Sequence, residues 1–278
     1  MIGAIIGDIV GSPYEFGSVK SKVFPLFGDG SGNACRFTDD SAMTLAVAGA
    51  LLDAVTGGGE LPVCAVRRMQ RVGRRYPDCG YGGAFIRWLF AEDPAPYGSF
   101  GNGAAMRVSP VAWAAESLEE ALRLSDAVTA VSHDHPEGLK GARAVAACVY
   151  LARTGESKET IRDYVREHFY PLKQTLAKIR PGYRFDVTCQ GSVPQAIQAF
   201  LEAESFEDAV RGAVSLGGDS DTQAAIAGSI AGPYFGIPDA LRQRALGFLP
   251  GELRHILLSF ERVYGANGET PAGAGASA

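Results

Sequence analysis

Cysteine is scarce and scattered in this chain: 5 among 278 residues, at Cys35, Cys64, Cys79, Cys148 and Cys189, with no Cys-x-x-Cys pair. An odd number at wide spacing argues against a disulfide framework and against a zinc site, and a reducing compartment, the cytoplasm, is the expected location. Long apolar runs are also missing. The start, Met1 to Asp8, is apolar but far shorter than the roughly 20 residues needed to cross a bilayer, and it has no basic segment, so neither a signal peptide nor a membrane partner is expected. Positive charge is not in excess, since 26 Lys and Arg stand against 31 Asp and Glu for a net charge of -5, which argues against general binding to nucleic acid or an anionic membrane. The local exception, Arg67, Arg68, Arg71, Arg74 and Arg75, reads as a solvated helix face or an anion-binding patch. Alternating strand patterns are nearly absent, the best being Val23 to Phe27, interrupted by Pro25.

What is present is helix. With 46% apolar residues a sizeable core is available, and no linker divides the chain, so residues 1–264 are expected to form one domain, followed by a Gly/Ala/Ser/Pro tail, 265–278, too poor in apolar residues to fold. Ser117-Leu118-Glu119-Glu120 and Ser205-Phe206-Glu207-Asp208 have the form of capping boxes, and Ser192-Val193-Pro194-Gln195 is a third expected helix start. Helical stripes run through Ala48, Leu51, Leu52 and Val55, through Ile161, Tyr164 and Val165, and through Leu253, Ile256, Leu257 and Phe260. The fold class is therefore all-α. Gly3, Gly7 and Gly11 recur every four residues in the first helix, and Gly228 and Gly232 do so late in the chain. Each costs about 1 kcal/mol of helix propensity, and close approach of buried helix backbones is the plainest compensation.

Two short acidic clusters carry the chemistry. Thr38-Asp39-Asp40-Ser41 and Asp219-Ser220-Asp221-Thr222 each precede a helical stretch. One Asp or Ser at each helix start would suffice as an N-cap. Four carboxylates with flanking hydroxyls exceed that need, would repel if brought together, and are the oxygen ligands that Mg²⁺ or Mn²⁺ prefers.

Three further constellations lie in the chain. Gly7 to Glu15 ends the first helix in a turn that leaves Glu15 in a loop. Gly98-Ser99-Phe100-Gly101-Asn102-Gly103-Ala104-Ala105-Met106-Arg107 is either a simple turn or a loop whose amides cradle a phosphate, with Phe100 to stack on a base or sugar and Arg107 to supply charge. Ser132-His133-Asp134-His135-Pro136 is either a pair of helix caps or part of a site.

Taken together and in this order, these segments resemble the ADP-ribosylglycohydrolase family, which includes the glycohydrolase that activates dinitrogenase reductase and hydrolases of ADP-ribosylated arginine and serine. The resemblance runs from Met1 to about Gly236, with Ser41 where many members carry Thr. It implies an all-α orthogonal multi-helix bundle holding two divalent cations, Mg²⁺ or Mn²⁺, at the base of a cleft for ADP-ribose. By similarity, Thr38, Asp39 and Asp40 ligate metal from one side and Asp219, Asp221 and Thr222 from the other. Glu15 resembles a mobile carboxylate that contacts the metals or gates the cleft, and Ser99, Phe100, Gly101, Asn102, Gly103 and His133 are the implied substrate-binding residues.

The implied reaction is hydrolysis of the glycosidic bond between ADP-ribose and an acceptor, a metal-bound water attacking the ribose anomeric carbon. Asp40, Glu15 and Asp219 are the catalytic candidates, with Asp40 or Glu15 as general base. The implied partners are an ADP-ribosylated protein or a small ADP-ribose conjugate, nucleic acid entering only if ADP-ribosylated. Protein arginine is slightly preferred as acceptor over serine, Asp78 being either a partner for its guanidinium or a turn residue. A metal-dependent phosphohydrolase of a nucleotide diphosphate and a non-catalytic ADP-ribose binder are the alternatives.

Overall fold

In a computed structural model, residues 1–28 and 34–265 are described. They form fifteen α-helices: α1 (Ile2–Gly11), α2 (Asp39–Gly57), α3 (Leu61–Arg75), α4 (Gly83–Phe90), α5 (Gly103–Met106), α6 (Ser109–Ala114), α7 (Leu118–Thr129), α8 (Pro136–Arg153), α9 (Lys158–His168), α10 (Leu176–Ile179), α11 (Cys189–Glu202), α12 (Phe206–Val214), α13 (Ser220–Phe235), α14 (Asp239–Leu246) and α15 (Gly251–Tyr264). Among the described residues there is no strand, only isolated bridges joining Gly17 to Gly218 and Gly101 to Thr188, so Val23 to Phe27 is not a strand. The expected tail lies, after Gly265, outside the described residues.

The centre is α13, buried at every position from Ser220 to Gly232, and it packs against α1, α8, α11 and α12. A helix with no polar face can only be stable inside the core. The recurring glycines explain how α1 meets it. A Cβ on Gly7 would lie 2.0 Å from the Ala224 carbonyl oxygen, one on Gly3 2.2 Å from that of Gly228, and one on Gly11 2.5 Å from the Asp221 Cα. The two backbones touch, and no larger residue fits between them.

The Ser117 and Ser205 caps form as the sequence predicts, each hydroxyl accepting from the amide three residues on, of Glu120 and Asp208. The helix expected from Ser192 instead begins at Cys189. Thr188 caps it, its Oγ1 accepting from the Gly191 amide, while the Ser192 hydroxyl bonds back to the Thr188 carbonyl, so Pro194 lies inside the helix. The stripe on α2 ends early, with Ala48 and Leu51 buried and Val55 exposed, whereas Leu253, Ile256, Leu257 and Phe260 are all buried. The arginine run on α3 is largely a solvated face, although Arg68 forms a two-pronged ion pair with Asp53. All five cysteines are buried and none is in a disulfide.

Candidate active site

Asp8 is the only charged residue of α1 and is completely buried. Its Oδ2 accepts from the amides of Thr38 (2.9 Å) and Ser41 (3.1 Å), its Oδ1 accepts from Thr38 Oγ1 (2.6 Å), and the Ser41 hydroxyl also donates to it. These bonds tie the first turn of α2 to α1. Thr38, at the N-cap in extended conformation, accepts from the Asp40 amide at 3.4 Å, so capping of α2 falls to the threonine and leaves Asp39 and Asp40 for other work.

The second cluster is built differently. Asp219 is the N-cap residue of α13, yet its carboxylate makes no capping bond and accepts instead from Asn102 Nδ2 at 2.7 Å. Thr222 Oγ1 donates to Asp40 Oδ2 at 3.1 Å, joining the two helix starts directly. Glu15 is brought alongside because the Phe16 amide donates to the Gly218 carbonyl (2.9 Å) and the Gly218 amide to that of Gly17 (3.0 Å). Gly218 has φ +77°, and a Cβ there would lie 3.0 Å from the Phe185 backbone, so this junction requires glycine.

Two carboxylate triads result. One oxygen each from Asp8, Asp40 and Asp221, and one each from Glu15, Asp219 and Asp221, lie within 4.8 Å of one another, with Asp221 common to both. Burial, and then the charges of Asp8 and Asp39, hold the Asp40 carboxyl well above the usual range. Burial and then Asp219 do the same to Asp221. Burial raises Glu15, reinforced by Asp219 and opposed by Arg36. Burial also raises Asp219 against its hydrogen bond from Asn102, and Asp8 against those from Ser41 and Thr38. Asp39, partly buried and outside both triads, is raised well above its usual value by burial and then Asp8. Asp40 Oδ1 is buried with no hydrogen-bond partner. A largely buried, all-oxygen, mutually repelling set with an orphaned acceptor fits a hard divalent cation.

These groups open into a cleft of about 420 Å³. Glu15, Asp39, Asp40, Asp219, Asp221 and Thr222 line it, as do Ser99, Gly101, Asn102, Gly103 and His133, so most of the residues singled out in the sequence meet in one place. Thr38 is buried and does not line the cleft. Phe100 does not line it either: the residue is 43% exposed and its ring centroid stands 5.1 Å from that of His135. Asp78 is an exposed turn residue and is not part of the lining.

The glycine-rich loop is held by Ser99 Oγ, which accepts from the Gly101 amide, and by the Asn102 amide, which donates to the Val187 carbonyl at 2.7 Å. Arg107 is fully buried, stacks 5.2 Å over Phe85 and donates from Nη2 to Ser132 Oγ at 2.7 Å. Burial pushes its pKa down to about 10, which leaves it a cation at neutral pH. His133 Nδ1 lies 2.8 Å from Ser132 Oγ and 3.4 Å from Arg107 Nη2. A guanidinium only donates, so Nδ1 is the acceptor; with burial and then Arg107 holding the ring well below its usual pKa, the neutral imidazole carries its proton on Nε2, beside Gly101 and Gly103. His135 caps α8, accepting from the Glu137 amide.

Asp8 lies in the Gly7 to Glu15 segment singled out in the sequence but was given no role there. Its signal was a lone carboxylate in an otherwise apolar helix, a residue that is rarely buried unless partnered. Phe16, Phe85, Tyr97 and Phe185, which also line the cleft, carried no comparable signal.

A family model described as ADP-ribosylglycohydrolase matches residues 1–268. The chain is 29% identical to ADP-ribosylhydrolase ARH3 of Homo sapiens over 95% of this chain and 92% of that protein. It is 28% identical to ADP-ribosylarginine hydrolase Tri1 of Pseudomonas putida (strain GB-1) over 85% of this chain and 70% of that protein. A solved structure, an ADP-ribosylglycohydrolase-related protein complex, superposes with a TM-score of 0.70 at 27% identity, covering 95% of each chain. Among the described residues, no helix is long and apolar enough to cross a membrane.

Proposed function

The chain belongs to the ADP-ribosylglycohydrolase family, and on that premise we propose that it hydrolyses the glycosidic bond between ADP-ribose and a modified acceptor. Protein arginine is the favoured acceptor. The observation that carries the reading is the sharing of the Asp221 carboxylate between two triads, one buried and one half-buried at Glu15, whose Glu15, Asp40, Asp219 and Asp221 line one cleft.

Thr38, Asp39, Asp40, Asp219, Asp221 and Thr222 would hold two divalent cations, Mg²⁺ or Mn²⁺. Asp8, whose oxygens already accept four hydrogen bonds, orients Thr38 and Ser41 behind them. When bound, such ions supply charge that orients the ribose hydroxyls and lowers the pKa of a coordinated water. The protein does the rest. Ser99, Gly101, Asn102 and Gly103 bind the diphosphate and ribose, and the Nε2–H of His133 gives that region a neutral donor. Phe100 provides an aromatic face beside the loop. Water adds to the anomeric carbon as the bond to the acceptor breaks, and its proton passes to a carboxylate and from there to the departing acceptor atom, which leaves protonated. Glu15, half-exposed and with its pKa raised, suits that base role, with Asp40 as the other candidate. Asp219, fixed by Asn102, holds the reacting end of the cleft in register.

The test is to offer arginine-linked, serine-linked and nucleic-acid-linked ADP-ribose with Mg²⁺, Mn²⁺ or EDTA and to identify the products by mass spectrometry. Intact ADP-ribose, released only with metal, is expected. Release of AMP or phosphate would replace this reading with a phosphohydrolase.

A further inference from the structure

Phe16 is anomalous in two ways at once. Its backbone is left-handed, φ +62°, a region that a bulky side chain rarely enters, and the residue is 73% exposed. Neither hydrophobic burial nor backbone preference accounts for a phenylalanine there. Its ring stacks on that of Phe185, itself 44% exposed, with centroids 4.9 Å apart and planes 26° from parallel, and both line the cleft.

The position of this stack is fixed relative to the carboxylates. Phe16 follows Glu15 directly, and its amide is bonded to the carbonyl of Gly218, the residue before Asp219. Glu15 and Asp219 both belong to the triad that includes Asp221. The aromatic pair is therefore anchored to two groups around which the anomeric carbon must sit. The part of the substrate bonded to that carbon on its far side from the nucleotide is the acceptor.

We infer that Phe16 and Phe185 form a platform for the acceptor, and that the group it receives is the planar guanidinium of an ADP-ribosylated arginine. This rests on the glycohydrolase reading above and deepens it. A guanidinium is flat, delocalised and weakly hydrated, and it stacks on aromatic faces, whereas a serine hydroxyl gains nothing from a ring. The platform also takes over the recognition role considered for Asp78, which does not line the cleft.

The experiment compares wild type with Phe16→Gly, Phe16→Tyr and Phe185→Ala on arginine-linked and serine-linked ADP-ribosyl peptides. Glycine suits the φ of residue 16, so Phe16→Gly removes the ring without disturbing the backbone. The ratio of kcat/KM for the arginine over the serine linkage should fall about tenfold in Phe16→Gly and in Phe185→Ala, and Phe16→Tyr should restore it. An equal loss on both linkages, or an unchanged ratio, overturns the inference. Failure of the glycohydrolase reading looks different: wild type would release ADP-ribose from neither peptide with either metal. The platform is then read by calorimetry, as the affinity for the arginine-linked peptide relative to free ADP-ribose. Loss of that advantage in Phe16→Gly supports the platform, and no change rejects it.

Discussion

The same two helices, α1 and α13, are joined in two opposite ways along their length. Over Gly3 and Gly7 against Ala224 and Gly228 their backbones touch through glycine and alanine, with no charge between them. Toward Asp8 and Asp221 they converge on carboxylates whose pKa values burial has raised. The dry seam gives α1 a fixed height and rotation, and that fixation is what lets Asp8 reach the start of α2 and hold Thr38 beside Asp40. The comparison teaches that the rigid part of the molecule stabilises the part that is electrostatically unfavourable without a cation.

The seam breaks most easily. Gly7→Ala places a methyl 2.0 Å from the Ala224 carbonyl oxygen, and neither backbone can retreat without moving a central helix. Destabilisation of about 3 kcal/mol or more is expected, read as a lowered midpoint in urea denaturation. If Gly7→Ala unfolds like wild type, the helices are not in backbone contact.

At the acidic end the direction reverses. Asp221→Asn removes the carboxylate that both triads share, so ADP-ribose release should fall about 100-fold, while the metal-free protein should gain about 3 °C in Tm from lost repulsion. A variant both inactive and less stable would mean that Asp221 is a structural residue. Asp8→Asn is milder. An asparagine oxygen can still accept from the Thr38 and Ser41 amides, but its amide would donate to the Thr38 hydroxyl that now donates to Asp8. A roughly tenfold weaker Mn²⁺ affinity is expected by calorimetry, with the fold retained.

The smallest effect sharpens the comparison through pH. Asp8, Glu15, Asp39, Asp40, Asp219 and Asp221 all have folded pKa values above their ordinary ones. In the metal-free protein the native state therefore keeps protons that the unfolded chain has released. Their contribution is complete below about pH 4 and is lost as pH rises through the folded values. His133 and the buried Met1 amine, its pKa lowered to about 5, act in the opposite sense and cost stability as pH falls. Taking the rise in Tm on adding Mg²⁺ at each pH removes their contribution. That rise should be about 3 °C larger at pH 8 than at pH 6, because binding must displace protons from the carboxylates at the lower pH. A rise that does not depend on pH would place the ion elsewhere.

Much of this was legible in the chain because it is local or periodic. The acidic clusters start helices, the glycine recurrence marks the seam, and Ser117 and Ser205 cap as their spacing predicts. What escaped is non-local. Asp8 acquires its meaning from partners 30 and 33 residues away, and Phe16 meets Phe185 only because Gly218 lets three segments converge. The start of α11 escaped for another reason. Two hydroxyls competed to cap it, and Thr188 prevailed because Ser192 bonds back to its carbonyl.

The most direct measurement is a crystal structure with Mn²⁺ and its anomalous difference map. Two peaks are predicted, both within bonding distance of Asp221, one on the side of Asp40 and the other on the side of Asp219. No peak at these carboxylates in active protein, or a peak bound by none of them, would contradict the account.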